Sequence, residues 1–329
     1  MTKKIKWGIV GTGGIAHTFA KALAILPDAE LVAVSSRKKE SAEKFAAEFN
    51  IPNTYIGADS LARDKNIDIA YISSIHPAHK SDTLNCLNGG KAVLCEKPFA
   101  MNGLQAAQMI DCAAKNKLFL MEAMWTYFFP AIAEIRQIIS NGDIGEVRLV
   151  NANFCFNKED DPLGRLINPI LGGGTLLDIG VYVIAFTQMI YGKEPEKISS
   201  LAHICSAGTD EQCSMIFAYN NGAMASLNCS FRVESPCQAA VYGTKGYIKV
   251  PHMFFQPDKF LIKIGDQPEK EHSFQRLGNG YTYQAVEVMR CLREGKLQSD
   301  IMPWDTSRAF MNTMDKIRQQ WNLIYPCEK

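Results

Sequence analysis

No Cys-x-x-Cys pair occurs in this chain, although it carries ten cysteines. Neither these nor the six histidines cluster at ligand spacing, which argues against a structural zinc site. Several cysteines fall inside apolar runs (Cys86, Cys95, Cys229), so they are expected as reduced, mostly buried thiols. An excess of charge is missing too. Lys and Arg number 35 against 34 Asp and Glu, a net charge of +1, which leaves no field to hold a nucleic acid or a membrane surface. No apolar leader is expected, because Met1-Thr-Lys-Lys-Ile-Lys-Trp7 runs straight into a strand. The longest later apolar stretch is interrupted by Asp178 and Gly180. These absences predict a soluble, cytoplasmic protein with a small-molecule partner. At 329 residues the chain suits two domains better than one core.

What is present begins with Ile5-Lys-Trp-Gly-Ile-Val10, a buried strand, then Gly11-Thr12-Gly13-Gly14-Ile15-Ala16, then the helical pattern Phe19, Leu23, Leu26. In that strand, glycine turn and helix, Gly11 allows the turn and Gly13 lets backbone approach a pyrophosphate. Ala16 permits close helix–strand packing, and the helix N-terminus favours the anion. The second strand, Leu31–Ser35, would end on Asp or Glu if a ribose 2′-hydroxyl needed an acceptor. It ends instead on Ser35-Ser-Arg-Lys-Lys39. Arg37 offers a planar fork suited to a 2′-phosphate, so NADP is favoured over NAD. Lys38 and Lys39 read as the solvated first turn of the next helix.

Ile67–Ser74 is another buried strand. It is followed by Ile75-His76-Pro-Ala-His79, where His79 either touches the coenzyme or caps a helix. Next comes Lys91-Ala-Val-Leu-Cys-Glu96-Lys97-Pro98-Phe99, an apolar strand that must end at the proline, since proline lacks an N–H and biases its predecessor away from helical dihedrals. Ligands bind at strand exits in open α/β sheets, which makes Lys97 a catalytic candidate, although this run standing alone would read as a surface lysine ending an ordinary strand. Helical and strand patterns continue to Leu118–Met121, predicting a doubly wound parallel sheet over residues 1–124.

Over residues 125–329 the pattern changes to long strands with two-residue alternation, beginning at Val147–Phe154 and joined by short turns such as Asn220-Asn-Gly222 and Gly243–Gly246. These predict an α+β domain built on a large, mostly antiparallel open sheet, one face of which needs covering; a homodimer through that sheet would do it. One helix interrupts the strands, Leu171-Gly-Gly-Gly-Thr-Leu-Leu-Asp178-Ile-Gly-Val-Tyr182 and on to Ile190, with the threonine as its expected N-cap. Asp178 and Tyr182, four apart, share a face. Singly they read as a dipole partner and a core residue; together on an apolar helix they read as chemistry. The segments Tyr283–Leu292 and Thr306–Trp321 read as amphipathic packing helices.

Taken together, Gly11–Ala16, Glu96-Lys97-Pro98 and Gly174-Thr-Leu-Leu-Asp178-Ile-Gly-Val-Tyr182 resemble the Gfo/Idh/MocA family of NAD(P)-dependent oxidoreductases, almost end to end. The resemblance implies a Rossmann first domain and a hydride transfer between NADP(H) and a CH–OH group of a sugar or cyclic diol. It implies Lys97 and Tyr182 as the catalytic pair, supported by Asp178. Gly11, Thr12, Gly13, Gly14, Ile15, Arg37, His76, His79, Glu96 and Lys97 would lie on the coenzyme, and Trp125 and Phe154 would line the substrate pocket. The Lys97–Pro98 bond is expected to be cis. Tyr182, where some relatives carry histidine, weakens an inositol dehydrogenase reading. Arg165 and Asn168 either meet the substrate or brace the helix entry. The alternatives are an oxidoreductase of another sugar or modified sugar, and a catalytically silent NADP-binding sensor.

Overall fold

Short apolar runs separated by helices become parallel strands, because each helix returns the chain to the same edge of the sheet. The computed structural model, which describes residues 3–158, 161 and 163–328, shows this from the start. In order come β1 (Ile5–Val10), α1 (Gly14–Ala24), β2 (Ala29–Ser36), α2 (Lys39–Phe49), β3 (Asn53–Ile56), α3 (Gly57–Ala62), β4 (Ile69–Ile72), α4 (His79–Asn88), β5 (Ala92–Glu96), α5 (Gly103–Asn116) and β6 (Leu120–Ala123). The six strands lie in the order β3-β2-β1-β4-β5-β6, every pair parallel. The direction of winding reverses between β1 and β4, the place where such sheets bind ligands. Strands β4, β5 and β6 are buried at every residue, as parallel strands covered on both faces must be. The Rossmann expectation holds; β3, four residues of alternating exposure, was not expected.

The chain then forms α6 (Pro130–Asn141), β7 (Val147–Cys155), α7 (Val181–Tyr191), β8 (Lys197–Ile204), β9 (Asp210–Ala218), β10 (Met224–Ser230), β11 (Ala239–Gly243), β12 (Gly246–Val250), β13 (Lys259–Ile264) and β14 (Lys270–Ser273). The eight strands lie in the order β14-β13-β12-β11-β7-β10-β9-β8. Only β7 and β10 run parallel as neighbours; the remaining pairs are antiparallel. This is the expected large, mostly antiparallel sheet. Its β7–β10 region is covered on one face by α7.

The helix expected from Leu171 to Ile190 is three pieces: a 3-10 turn at Pro169–Leu171, a π-helical turn at Leu176–Gly180, and α7. The stretch 169–191 has the length and mean hydropathy (1.7) of a membrane span, but 89% of its most apolar window is buried within the protein. It is a core segment. The chain ends with α8 (Tyr281–Arg293) and α9 (Trp304–Trp321).

By contacts the chain divides into two units, Met1–Trp125 with Arg276–Arg308, and Thr126–Gln275 with Ala309–Lys329. Residues 276–308 join the first because α8 packs on α1, Asn279 Nδ2 donates to Thr18 O at 2.8 Å, and Trp304 Nε1 donates to Leu120 O at 2.8 Å. No periodicity along α8 could have revealed that. All ten cysteines are free thiols, most of them buried.

Candidate active site

In the first unit, the glycine turn after β1 is shaped by its neighbours. Gly11 has φ +106°, and a Cβ there would sit 2.8 Å from Ser73 O, so only glycine fits. At Gly13 and Gly14 a Cβ would meet nothing within 4 Å; the backbone there faces open space that a pyrophosphate can approach. The first turn of α1 holds no acidic side chain, leaving its N–H groups and dipole for an anion. Thr12 Oγ1 lies 3.5 Å from Ser36 Oγ, which joins Thr12 to the exit of β2, where Arg37 is exposed. Arg37 is also close enough to lower the pKa of Asp82, though burial wins and leaves that carboxyl raised. Residues Gly11 to Ile15 and Arg37 thus fit a dinucleotide.

The Lys97 turn lies at the exit of β5. The Lys97–Pro98 peptide is cis, and Lys97 is half-buried. Side chains hold the turn from several directions. Tyr71 Oη donates to Glu96 Oε1 at 2.5 Å, and Phe99 N donates to Glu122 Oε1 at 3.1 Å. His79, 1% exposed, sets Nδ1 2.8 Å from Pro98 O and Nε2 3.1 Å from Ser74 O. Burial pushes His79 down to about 4, and Lys97 adds to that against the pull of the two carbonyls. The ring is therefore neutral near pH 7 and donates from one nitrogen; the shorter contact assigns the proton to Nδ1. In this structure His79 braces the proline turn from behind. His76 is buried edge-on against it, ring centroids 5.6 Å apart. Trp125 stacks on Tyr281 at 4.1 Å and 18°.

In the second unit, Tyr182 and Asp178 are 6% and 5% exposed. Phe154 lies 5.4 Å from the Tyr182 ring and stacks on Phe255 at 4.3 Å and 7°, so the phenol has an aromatic wall. Arg165 forks onto Asp178 with Nη1–Oδ1 3.0 Å and Nη2–Oδ2 3.2 Å. Burial alone would lower the guanidinium, but Asp178 and, more weakly, Tyr182 raise it. Arg165 is therefore a fixed cation beside both residues. The paired fork is the strong geometry for a carboxylate. Asn168 accepts from Ile170 N at 2.9 Å and caps the short turn before the helix, so it braces the entry.

The expected threonine cap is not formed. Thr175 makes no cap bond of its own; its hydroxyl and the Leu176 N–H both donate to Asp210 Oδ2, at 2.6 and 2.7 Å. Asp210, Glu122, Phe255 and Tyr281 went unrecognised in the sequence. Adjacent phenylalanines at 254 and 255 between two strands were a usable signal for one of them; an acid opening β9 and an acid within β6 carry none.

Among known proteins, a family model described as an oxidoreductase family with NAD-binding Rossmann fold matches residues 5–124. A second, described as the GFO/IDH/MocA C-terminal domain, matches residues 132–249. The chain belongs to the Gfo/Idh/MocA oxidoreductases. Within that family it is 38% identical to the trans-1,2-dihydrobenzene-1,2-diol dehydrogenase of Xenopus tropicalis, over 98% of this chain and 99% of that protein. It is 35% identical to the Homo sapiens protein of the same name, over 99% of each. Among solved structures, an aldose-aldose oxidoreductase from Caulobacter crescentus superposes with TM-score 0.88 at 22% identity, covering 96% of this chain and 97% of that one. A 3-ketoreductase from Actinomadura kijaniata superposes with TM-score 0.87 at 22% identity, covering 96% and 98%. This Gfo/Idh/MocA member is thus an NAD(P)-dependent dehydrogenase.

Glu122, 1% exposed, yields a pH prediction. Burial raises its pKa from 4.5 to about 8, with Glu96 adding to the rise and hydrogen bonds and Lys97 opposing it. An acid whose folded pKa is raised takes up a proton on folding. Its contribution to stability is complete below about 4.5, its ordinary value, and is lost as pH rises through about 8. Glu122→Gln keeps the acceptor for Phe99 N and abolishes the titration. Thermal unfolding at pH 6 and pH 9 should show the wild type losing more stability than the variant; equal losses would remove Glu122 as the cause.

Proposed function

We propose that this chain transfers hydride between NADP(H) and the CH–OH group of a sugar or cyclic diol, with Lys97 and Tyr182 handling the hydroxyl proton. The observation that carries the substrate class is the full-length identity of 34–38% to proteins named as dihydrodiol dehydrogenases. Preference for NADP rests on the exit of β2, where Thr12 Oγ1 meets Ser36 Oγ and the exposed Arg37 follows, and where the strand itself ends on no carboxylate for a 2′-hydroxyl.

When bound, the dinucleotide supplies the hydride acceptor or donor. The glycine turn and the α1 N-terminus hold its pyrophosphate, and Arg37 its 2′-phosphate. The protein's remaining task is the proton. A phenol ordinarily titrates near 10, too high to take a proton readily at neutral pH. A cation within about 4–6 Å favours the phenolate. Lys97 is the proposed cation, either beside Tyr182 or directly on the substrate hydroxyl; Arg165, held by Asp178, supplies a second positive charge on the Tyr182 side. Phe154 and Phe255 in the second unit, and the Trp125–Tyr281 stack in the first, each offer apolar surface to a ring-shaped substrate.

A homodimer through the large sheet completes the reading. The β-register puts Leu149, Asn151, Ile216, Met224 and Ser226 on one outward face, with Leu201 of β8 beside them at 80% exposure. At these positions the face carries apolar and uncharged polar side chains, as an interface core does, while Lys197, Lys249 and Lys263 of the same face lie on strands farther out.

Tyr182→Phe and Lys97→Met should each lower kcat by at least about 10²-fold, the low end for general acid–base steps, while NADPH still binds; near-normal turnover in either removes the assignment. Arg37→Ala should raise the KM for NADP by about 10-fold or more, the loss of one charged hydrogen bond, and leave that for NAD nearly unchanged. Equal effects on both would contradict the 2′-phosphate role. Sedimentation of the wild type at micromolar concentration should show a dimer and of Leu149→Asp/Met224→Asp a monomer; an unchanged dimer in the variant places the interface elsewhere.

A further inference from the structure

The segment bearing Asp178 and Tyr182 begins with three glycines and lacks a cap of its own, yet its entry is held firmly from outside. Asp210, on the first residue of β9, is fully buried. Its Oδ2 takes both the Thr175 hydroxyl and the Leu176 N–H, the first donors of the π-helical turn that carries Asp178. Its Oδ1 is buried without a hydrogen-bond partner. A carboxylate kept half unsatisfied in the interior costs stability, so its presence needs a reason beyond packing.

The surroundings supply one. Gly174 has φ +118°, and a Cβ there would lie 2.3 Å from Asp210 Oδ1 and 2.9 Å from Tyr325 Oη. The glycine is thus pressed between the acid and the phenol. Tyr325 donates to Gly173 O at 2.6 Å. Thr209, next to Asp210, donates to Ile167 O at 2.7 Å, and so holds the loop that brings Arg165. Two successive residues therefore tie down the two strands of backbone that present Arg165 and Asp178 to one another. Because Arg165 also feels Tyr182, a shift at the entry moves the charge beside the phenol.

We propose that Asp210 is a positioning residue for the Arg165–Asp178–Tyr182 group, acting through Thr175 and Leu176. This rests on the reading of Tyr182 as a catalytic residue. It differs from a capping role in predicting that the effect of Asp210 on turnover passes through Tyr182.

The experiment is a double-mutant cycle on the full chain, with NADPH titrated by fluorescence and steady-state rates taken well below every melting temperature. Asp210→Ala should lower kcat by about 10-fold or more while NADPH affinity is unchanged, and Asp210→Asn, which retains an acceptor for both donors, should recover kcat to within about 3-fold of wild type. Tyr182→Phe/Asp210→Ala should be no slower than Tyr182→Phe alone. Multiplicative losses in the double variant, or Asp210→Asn as slow as Asp210→Ala, would overturn the proposal. Should Asp210→Ala fail to fold, Thr175→Val removes one of the two bonds and should still lower kcat by about 3-fold or more, again with no further loss in the Tyr182→Phe background; a wild-type kcat would overturn it. A normal rate for Tyr182→Phe by itself is a different outcome: it removes the catalytic reading of that tyrosine and this inference with it.

Discussion

The forked pair between Arg165 and Asp178 is the interaction on which the chemistry proposed for the second unit depends. A carboxylate 5% exposed beside a phenol would oppose proton release from that phenol, since like charges disfavour one another at short range. Two parallel N–H···O bonds from a guanidinium offset that opposition by pairing the carboxylate with a cation that also interacts with Tyr182. The pair joins residues 13 apart, across a loop and a helix entry, and it survives only if both backbones stay in place. Thr209 and Asp210, together with Tyr325, keep them there.

The first unit solves the matching problem at Lys97 in a comparable way. A proline turn has one backbone donor fewer than an ordinary one, and the turn after β5 is completed by side chains reaching in: Glu122 to Phe99 N, His79 to Pro98 O. Both reaching groups are buried and both have shifted pKa values, Glu122 upward and His79 downward. Each is thereby kept neutral near pH 7, so it can hold backbone without adding a charge that would compete for Lys97. In each unit, then, a residue proposed for proton handling sits on a stretch fixed by a buried acid from a neighbouring strand.

Much of the architecture was legible in the sequence. Apolar runs such as Ile69–Ile72 and Ala92–Glu96, buried at every position, announce parallel strands by composition alone, and the alternation in β9, from Cys213 to Phe217, announces a half-covered sheet. The short strands β3 and β14 were missed because four residues of mixed exposure carry almost no periodic signal. The association of α8 with α1 was missed because an amphipathic face does not name its partner. At the candidate site, the residues that present functional groups on motifs stood out, whereas their supports did not. Asp210 and Glu122 act through backbone donors 34 and 23 residues away in sequence, and nothing local marks an acid for such work. Thr175 misled for the same reason: a threonine before a helix has the right composition for a cap, but a better acceptor arrives from β9.

The central proposal is that the Lys97 ammonium and the Tyr182 phenol act on one substrate hydroxyl. A crystal structure of the ternary complex with NADP and an unreactive polyol tests it most directly. The account predicts Lys97 Nζ and Tyr182 Oη both at hydrogen-bond distance, about 2.6–3.2 Å, from the same hydroxyl oxygen, with its carbon about 3–3.5 Å from the nicotinamide C4. Finding the two side chains in separate cavities, or the hydroxyl held by neither, would contradict it.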